Sequence, residues 1–245
     1  MNVLILIISS TNLPSYHYNK QVWMSYMNRH PNIDSYFIEY RDQESKEGEI
    51  IQENNTLYFK GEETFSNIIV KTIHSLHYFL HFSEKKYDFI VRTNLSTVWD
   101  LNRLYDHLMN LPVKNNIYSG VKMSFYNLES LEYWFKFVSG MGIILSRDVC
   151  EILVDPVNRP LLQTVCHVDD VDIGYCLNTL ENPILPLECC TISSIKGLQE
   201  NESVIVERKY IFYRVKFSEF REIESDCMNM VVKLLYRYPY PAIQS

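Results

Sequence analysis

The sequence predicts an α/β fold, a mostly parallel mixed sheet flanked by helices, and three features carry that expectation. Val3–Ile8 reads VLILII, the continuous apolar run a strand needs when both its faces are covered. It ends in Ser9-Ser10-Thr11-Asn12, a polar stretch at the carboxyl end of the strand, where open α/β sheets bind ligands. Beyond it, strand-like and helix-like segments alternate, the order that builds parallel strands through helical crossovers.

Residues 19–29 read as a helix and Ser35–Glu39 as the second strand. Ser66–Phe82 is a longer helix, with apolar residues at 65, 68, 69, 73, 76 and 80 close to helical spacing. Phe89–Val91 is the third strand, and the turn after it reads Thr93-Asn94-Leu95-Ser96. Asp100 is a good N-cap for a helix carrying Leu101, Leu104, Tyr105 and Leu108 on one face. The second half is more mixed. Ile117–Lys122 is a strand, followed by a loop rich in aromatics at Phe125, Tyr126, Tyr133, Trp134 and Phe135. Gly142–Leu145 is a short strand, with Ser146 capping the next helix. Asp169 and Asp170 open another helix whose buried side holds Ile173, Leu177 and Leu180. Ile211–Lys216 is a late strand and Ile223–Leu235 a closing amphipathic helix. The expectation is one domain in two lobes, residues 1–110 and 111–245.

The 245 residues suffice for one sizeable core, and 47% hydrophobic with 22% charged content is that of an ordinary globular chain. A formal net charge of -7 argues against a nucleic-acid binder, so an anionic ligand must meet a local basic cluster. The apolar opening is too short for a membrane span and lacks the basic start and cleavage site of a signal peptide. That predicts a cytoplasmic protein. Six cysteines without a CxxC pair predict reduced, packed thiols.

Asp169-Asp170-Val171-Asp172 is the one dense carboxylate cluster. A carboxylate at a helix N-terminus is stabilised in its charged form, which suits a general base. A plainer reading has one aspartate capping the helix and the others solvated. Arg214 and Lys216 share one face of a strand, with Arg221 just beyond, so the three could neutralise a diphosphate. They would equally serve as a solvated basic strand edge. His74, His77 and His81 lie on one helix among apolar neighbours with no carboxylate, which favours lining a helix face over binding metal. No Walker loop, GxGxxG, GxSxG or HExxH is present.

Five segments in order resemble the Fringe and β1,3-galactosyltransferase type of GT-A glycosyltransferase. They are VLILIISS; EETFSNIIVKTIHSLHYF, matching at Asn67, Lys71 and Thr72; YDFIVRTNLSTVWDLNRL; VSGMGIILSRDVCEIL; and HVDDVDIGYCL. Together they cover about residues 3–180. The ending YRVKFSEFREIESDCMNMVVKLL departs from that type, and its Arg-x-Lys followed by Arg resembles small glycosyltransferases of large DNA viruses and some bacteria. The Arg-Thr-Asn-x-Ser turn resembles the same group, whose members in a virus would act in the host cytoplasm.

The resemblance implies a GT-A-like fold and an inverting transfer from a nucleotide-diphosphate sugar to a hydroxyl of a glycan or glycoprotein. It carries the catalytic base onto Asp170, with Asp169 beside it. Donor binding falls to Ser9, Ser10, Lys71, Arg92, Asn94, Ser96, Arg214, Lys216 and Arg221. Gly140, Met141 and Gly142 would let the backbone approach the sugar or the acceptor, and the aromatic loop over 123–135 could stack on a sugar. The turn lacks the family's metal-binding aspartates, and Asn94 and Ser96 are poor neutral substitutes for carboxylates. No metal ligand is therefore assigned, with Mg2+ or Mn2+ left open as cofactor. A catalytically silent GT-A module that binds a glycan or nucleotide sugar is the alternative reading, and a GT-A-like nucleotidyltransferase a third.

Overall fold

The computed structural model describes residues 1–41, 50–127, 132–163, 165–217 and 221–236. The apolar run at the start forms β1 (Val3–Ile8), and its alternation sorts residues between two cores. Val3, Ile5 and Ile7 enter one core, while Leu4 and Leu6 enter the other. After β1 come α1 (Pro14–Met24), β2 (Ile33–Arg41), β3 (Ile50–Glu53) and β4 (Thr56–Lys60). Then follow α2 (Ile68–His81), β5 (Phe89–Asn94), β6 (Thr97–Trp99) and α3 (Leu101–Met109). The second half supplies β7 (Tyr118–Tyr126), β8 (Tyr133–Ser146), α4 (Arg147–Val154) and α5 (Asp169–Thr179). It ends with β9 (Ile184–Pro186), β10 (Cys190–Ile192), α6 (Ile195–Glu200), α7 (Glu202–Val206), β11 (Phe212–Val215) and α8 (Glu224–Tyr236).

The main sheet has the order β3-β4-β2-β1-β5-β8-β7-β9. Its centre is parallel: β1 pairs with β2 and β5, and β2 with β4. β8 is antiparallel to both β5 and β7. A second sheet, β10-β11-β6, covers one side together with α1, α3 and α8. The helices α2, α4 and α5 cover the other side. The fold is α/β and GT-A-like. Among the described residues, no helix is long and apolar enough to cross a membrane.

Several local expectations need correcting. The first helix starts at Pro14 rather than 19, because proline's missing N–H and fixed φ suit the opening turn. It stops at Met24, and Tyr26 and Met27 turn inward as buried residues of the loop. The hairpin β3–β4 had no strong sequence signal; it turns at Asn54, whose φ of 52° an asparagine tolerates. The third strand continues to Asn94, and residues 97–99 form β6 rather than a connection. What adds β6 is its pairing with β11 and the stacking of Trp99 on Phe212, with ring centroids 4.5 Å apart. The aromatic segment 123–135 is no loop, because its β-favouring residues pair from Lys122↔Val138 to Tyr126↔Tyr133. Residues 128–131 lie outside the described residues. Leu180 follows the end of α5 and is 43% exposed rather than buried.

The register positions the site. Ile8 of β1 lies opposite Asn94 of β5, so the two polar ends open onto the same edge. Thr93 pairs with Gly142, so the first half of β8 runs on past the end of β5 and rises beside that edge.

Candidate active site

A cleft of about 380 Å³ opens at the carboxyl ends of β1 and β5. It is lined by Ser9 and Ser10 after β1, Lys71 of α2, Asn94 and Ser96 after β5, and Arg214, Lys216 and Arg221 from β11 and beyond. Eight of the nine sequence-assigned donor residues therefore meet in one cavity. Arg92 is the exception.

The cations in the cleft are not equivalent. Lys71 is fully buried and committed: its Nζ donates to the Ser9 carbonyl at 2.9 Å and to both Glu63 carboxylate oxygens at 2.8 Å. Burial lowers its pKa, and the Glu63 carboxylate opposes that. Glu63 also accepts from the Tyr40 amide at 2.6 Å, so Lys71 and Glu63 act as a fastener between α2, β1 and β2. Replacing Lys71 by Met should cost about 3–5 kcal/mol of stability by stranding Glu63. Nucleoside-diphosphate affinity of the folded fraction should change little. Denaturant titration beside calorimetric binding checks this; lost affinity at unchanged stability would return Lys71 to the ligand.

Arg221 lies 3.5 Å from the buried Glu224 carboxylate and packs its guanidinium over the Tyr16 ring at 5.2 Å. Arg214 is buried, and its Nη1 donates to Thr97 Oγ1 at 3.3 Å. No carboxylate among the described residues lies within ion-pair distance of Arg214 or of the exposed Lys216. Burial pulls the Arg214 guanidinium down to about 10, which leaves it charged at neutral pH. The Glu224 carboxylate acts on Arg214 from beyond ion-pair distance and is itself held by Arg221 and Asn19, and a buried cation compensated only at that range is costly unless an anion completes it.

The serines divide. Ser9 Oγ is buried and donates to Glu39 Oε1 at 2.7 Å, which Lys20 also meets at 2.8 Å. Ser10 Oγ accepts from the Asn12 amide at 3.1 Å and shapes the loop lip. Asn12, Tyr16, Thr64, Phe65 and Ile68 also line the cleft, though sequence reasoning did not single them out. Phe65, placed just ahead of the α2 segment and 67% exposed, is the one with a usable signal.

The acids lie beside the cleft, at the start of α5. Asp172 Oδ1 accepts from the Val165 and Cys166 amides at 3.2 and 3.5 Å and folds the preceding loop back onto the helix. His167 in that loop adopts a φ of 57°. Asp169 is buried and lies 2.6 Å from Arg92 Nη2. Burial pushes its carboxyl up, Arg92 opposes the shift, and Asp170 adds to it. Asp170 is partly exposed, and its Oδ2 accepts from the Gly140 amide at 2.6 Å. Each acid has its own task, and the helix cap is Val168, none of them.

Arg92 does not line the cleft. Its Nη1 donates to Asn94 Oδ1 at 2.8 Å and to the Gly140 carbonyl. At Gly140 and Gly142 the close approach is by protein groups. A Cβ on Gly140 would meet Arg92 Nη1 at 2.5 Å, and one on Gly142 would meet the Trp99 ring at 2.7 Å. The Met141 carbonyl accepts from Thr93 Oγ1 at 2.7 Å, which ties β8 to β5.

The residues at the turn do not fit a divalent cation. Asn94 already accepts from Arg92, and Ser96 offers only a buried neutral hydroxyl. Asp100 is fully buried, caps α3 by accepting from the Arg103 amide at 3.1 Å, and lies 3.6 Å from Arg208. Hard cations want several oxygen ligands, carboxylates foremost. No three His, Cys, Asp or Glu side chains gather as a metal site among the described residues. The α2 histidines line a helix face, with His74 against Phe59 and His77 against His81 and Phe82. All six cysteines are free thiols.

The sequence matches no protein-family model and no curated protein. Among solved structures, the chain is similar to a glycosyltransferase involved in the glycosylation of the major capsid of PBCV-1. The TM-score is 0.51 at 11% identity, over 94% of this chain and 100% of that one. A 4-diphosphocytidyl-2C-methyl-D-erythritol synthase from Anaerococcus prevotii gives 0.46 at 8% identity, over 76% of this chain and 86% of the other. At such identities the first likeness establishes the fold alone: this chain has the α/β architecture of that capsid glycosyltransferase.

Proposed function

We propose that the protein transfers a sugar from a nucleoside-diphosphate sugar to a hydroxyl of a glycan or glycoprotein, with inversion and without a divalent metal. The observation that carries this reading is Arg214, buried with no ion-pair partner among the described residues, beside Lys216 and Arg221 in a cleft at the carboxyl ends of parallel strands. A diphosphate supplies the missing charge, and Arg214 offers it forked donors. Ser10, Asn94 and Ser96 would face the nucleotide or ribose. The order of the Fringe-like segments supports Asp170 as base.

In the transfer, the acceptor hydroxyl passes its proton to Asp170 as its oxygen bonds to the anomeric carbon. The bond from that carbon to the diphosphate oxygen breaks, and the electron pair leaves with the diphosphate. Fixed cations aimed at that developing charge lower the barrier because they need no reorganisation as it forms. The exposed faces of Tyr133 and Trp134, on the hairpin packed beside α5 through Tyr175, would receive an acceptor sugar.

Donor hydrolysis and transfer, screened across nucleoside-diphosphate sugars with Mg2+ or Mn2+ and with EDTA, tests the reading. Turnover is expected to survive EDTA. Turnover only with metal overturns the cationic clamp. Tight donor binding with no turnover leaves a silent binding module, and pyrophosphate release from a nucleoside triphosphate makes it a nucleotidyltransferase.

A further inference from the structure

Arg92 reads in sequence as a donor ligand, yet it is 2% exposed and turned away from the cleft. One step below Asn94, which reaches the cleft at the strand's end, Arg92 lies on the same face of β5 as Ile90, which enters the core beneath α2, α4 and α5. There the guanidinium meets three partners from three segments. Nη1 donates to Asn94 and to the Gly140 carbonyl, and Nη2 lies 2.6 Å from Asp169. The amide of the same Gly140 donates to Asp170 at 2.6 Å. One glycine is thus held by Arg92 at its carbonyl and holds Asp170 at its amide. Only a glycine fits, because a Cβ would stand 2.5 Å from Arg92 Nη1 and 3.1 Å from Asp170 Oδ2.

We infer that Arg92 is a positioning residue for the base: through Gly140 it aims the Asp170 carboxylate, and by pairing with Asp169 it leaves Asp170 the only uncompensated acid of the two. The inference rests on the reading of Asp170 as base. It also gives Asn94, which lines the donor cleft, a direct tie to the acid pair. The charged and titratable groups around Asp170 are Arg92 from β5, Asp169 and Asp172 on its own helix, Tyr118 from β7, and Cys166 and His167 from the loop before α5. Arg92 pairs directly with Asp169 and reaches Asp170 only through Gly140.

Three variants separate aim from charge. Arg92→Lys keeps the charge but cannot fork to Gly140 and Asp169 together. Gly140→Ala keeps every charge and displaces the contacts. Both should lower kcat on the order of 10²-fold, the cost of misplacing a reacting group by about an ångström. The dissociation constant for a nucleoside diphosphate should stay as in the parent. Arg92→Met removes the cation that opposes the burial of Asp169, so the Asp169 carboxyl should rise further and the acid limb of the pH–rate profile should move up. Should Arg92→Met not fold, the other two still decide. A purely structural role would lower folded yield without splitting kcat from donor binding.

Unchanged kcat in Arg92→Lys and Gly140→Ala overturns the inference. Weakened diphosphate binding with unchanged kcat overturns it too, and makes Arg92 a donor ligand. Asp170→Asn runs alongside: if it turns over as the parent does, or the parent itself is inert, the reading of the base fails and takes this inference with it. If Asp170→Asn is dead while the Arg92 and Gly140 variants are normal, only the inference fails.

Discussion

Asp170→Asn should reduce turnover by about 10²–10⁴-fold, the usual contribution of a positioned general base. Asparagine preserves size and can still accept from the Gly140 amide, so the α5–β8 junction should hold. Donor affinity should be unchanged, because Asp170 is not among the residues lining the cleft. Glycosyl transfer measured beside calorimetric binding of a nucleoside diphosphate checks both halves. Normal turnover would remove Asp170 from the chemistry. Asp169→Asn should behave differently. It strands the Arg92 guanidinium in a buried setting, so its first effect is lost stability, of the few kcal/mol that follow when one member of a buried pair is deleted. Two neighbouring acids in one short stretch thus have distinguishable fates on mutation.

That distinction shows where sequence reasoning stopped. VLILII announced a strand covered on both faces, and the alternation of Val3, Ile5 and Ile7 against Leu4 and Leu6 is a direct result of its side chains. Asp100 as a cap follows from local hydrogen-bonding chemistry, which a short window contains, whereas α5 starts at Asp169 with no side-chain cap. The cleft was legible because ligand sites on open sheets gather at strand ends, and strand ends can be read locally. The state of each charge could not be read that way. Lys71 is consumed by Glu63, and Arg92 by Asp169 and by Gly140, 48 residues on. Tyr16 supports Arg221 from the other end of the chain. β6 and the aromatic hairpin were missed for a related reason, since each exists through pairing with a strand distant in sequence or across a turn. Burial and partnership are tertiary facts, and they decide which cations remain available to a ligand.

Arg214→Ala should weaken nucleoside-diphosphate binding by about 30-fold or more, from the ~2–5 kcal/mol typical of truncating one partner of a buried charge pair. The same change should not destabilise the unliganded protein and could raise its Tm. Arg214 is buried with a single 3.3 Å hydrogen bond and no carboxylate in ion-pair distance among the described residues. Desolvating such a charge is a cost the folded state carries until an anion arrives. Lys216, exposed and freely hydrated, carries less of that cost, so Lys216→Ala should weaken binding less and flatten its salt dependence. Between pH 7 and about 9, the affinity should not fall for want of charge on Arg214, whose pKa of about 10 lies above that window. Calorimetry of the two variants, beside thermal denaturation with and without nucleoside diphosphate, reads all of this together. The decisive result is opposite signs for Arg214→Ala: lost affinity with retained or increased apo stability. Lost stability with retained affinity would make Arg214 a structural residue of the β6–β11 sheet, and the cleft would need another explanation for its charge.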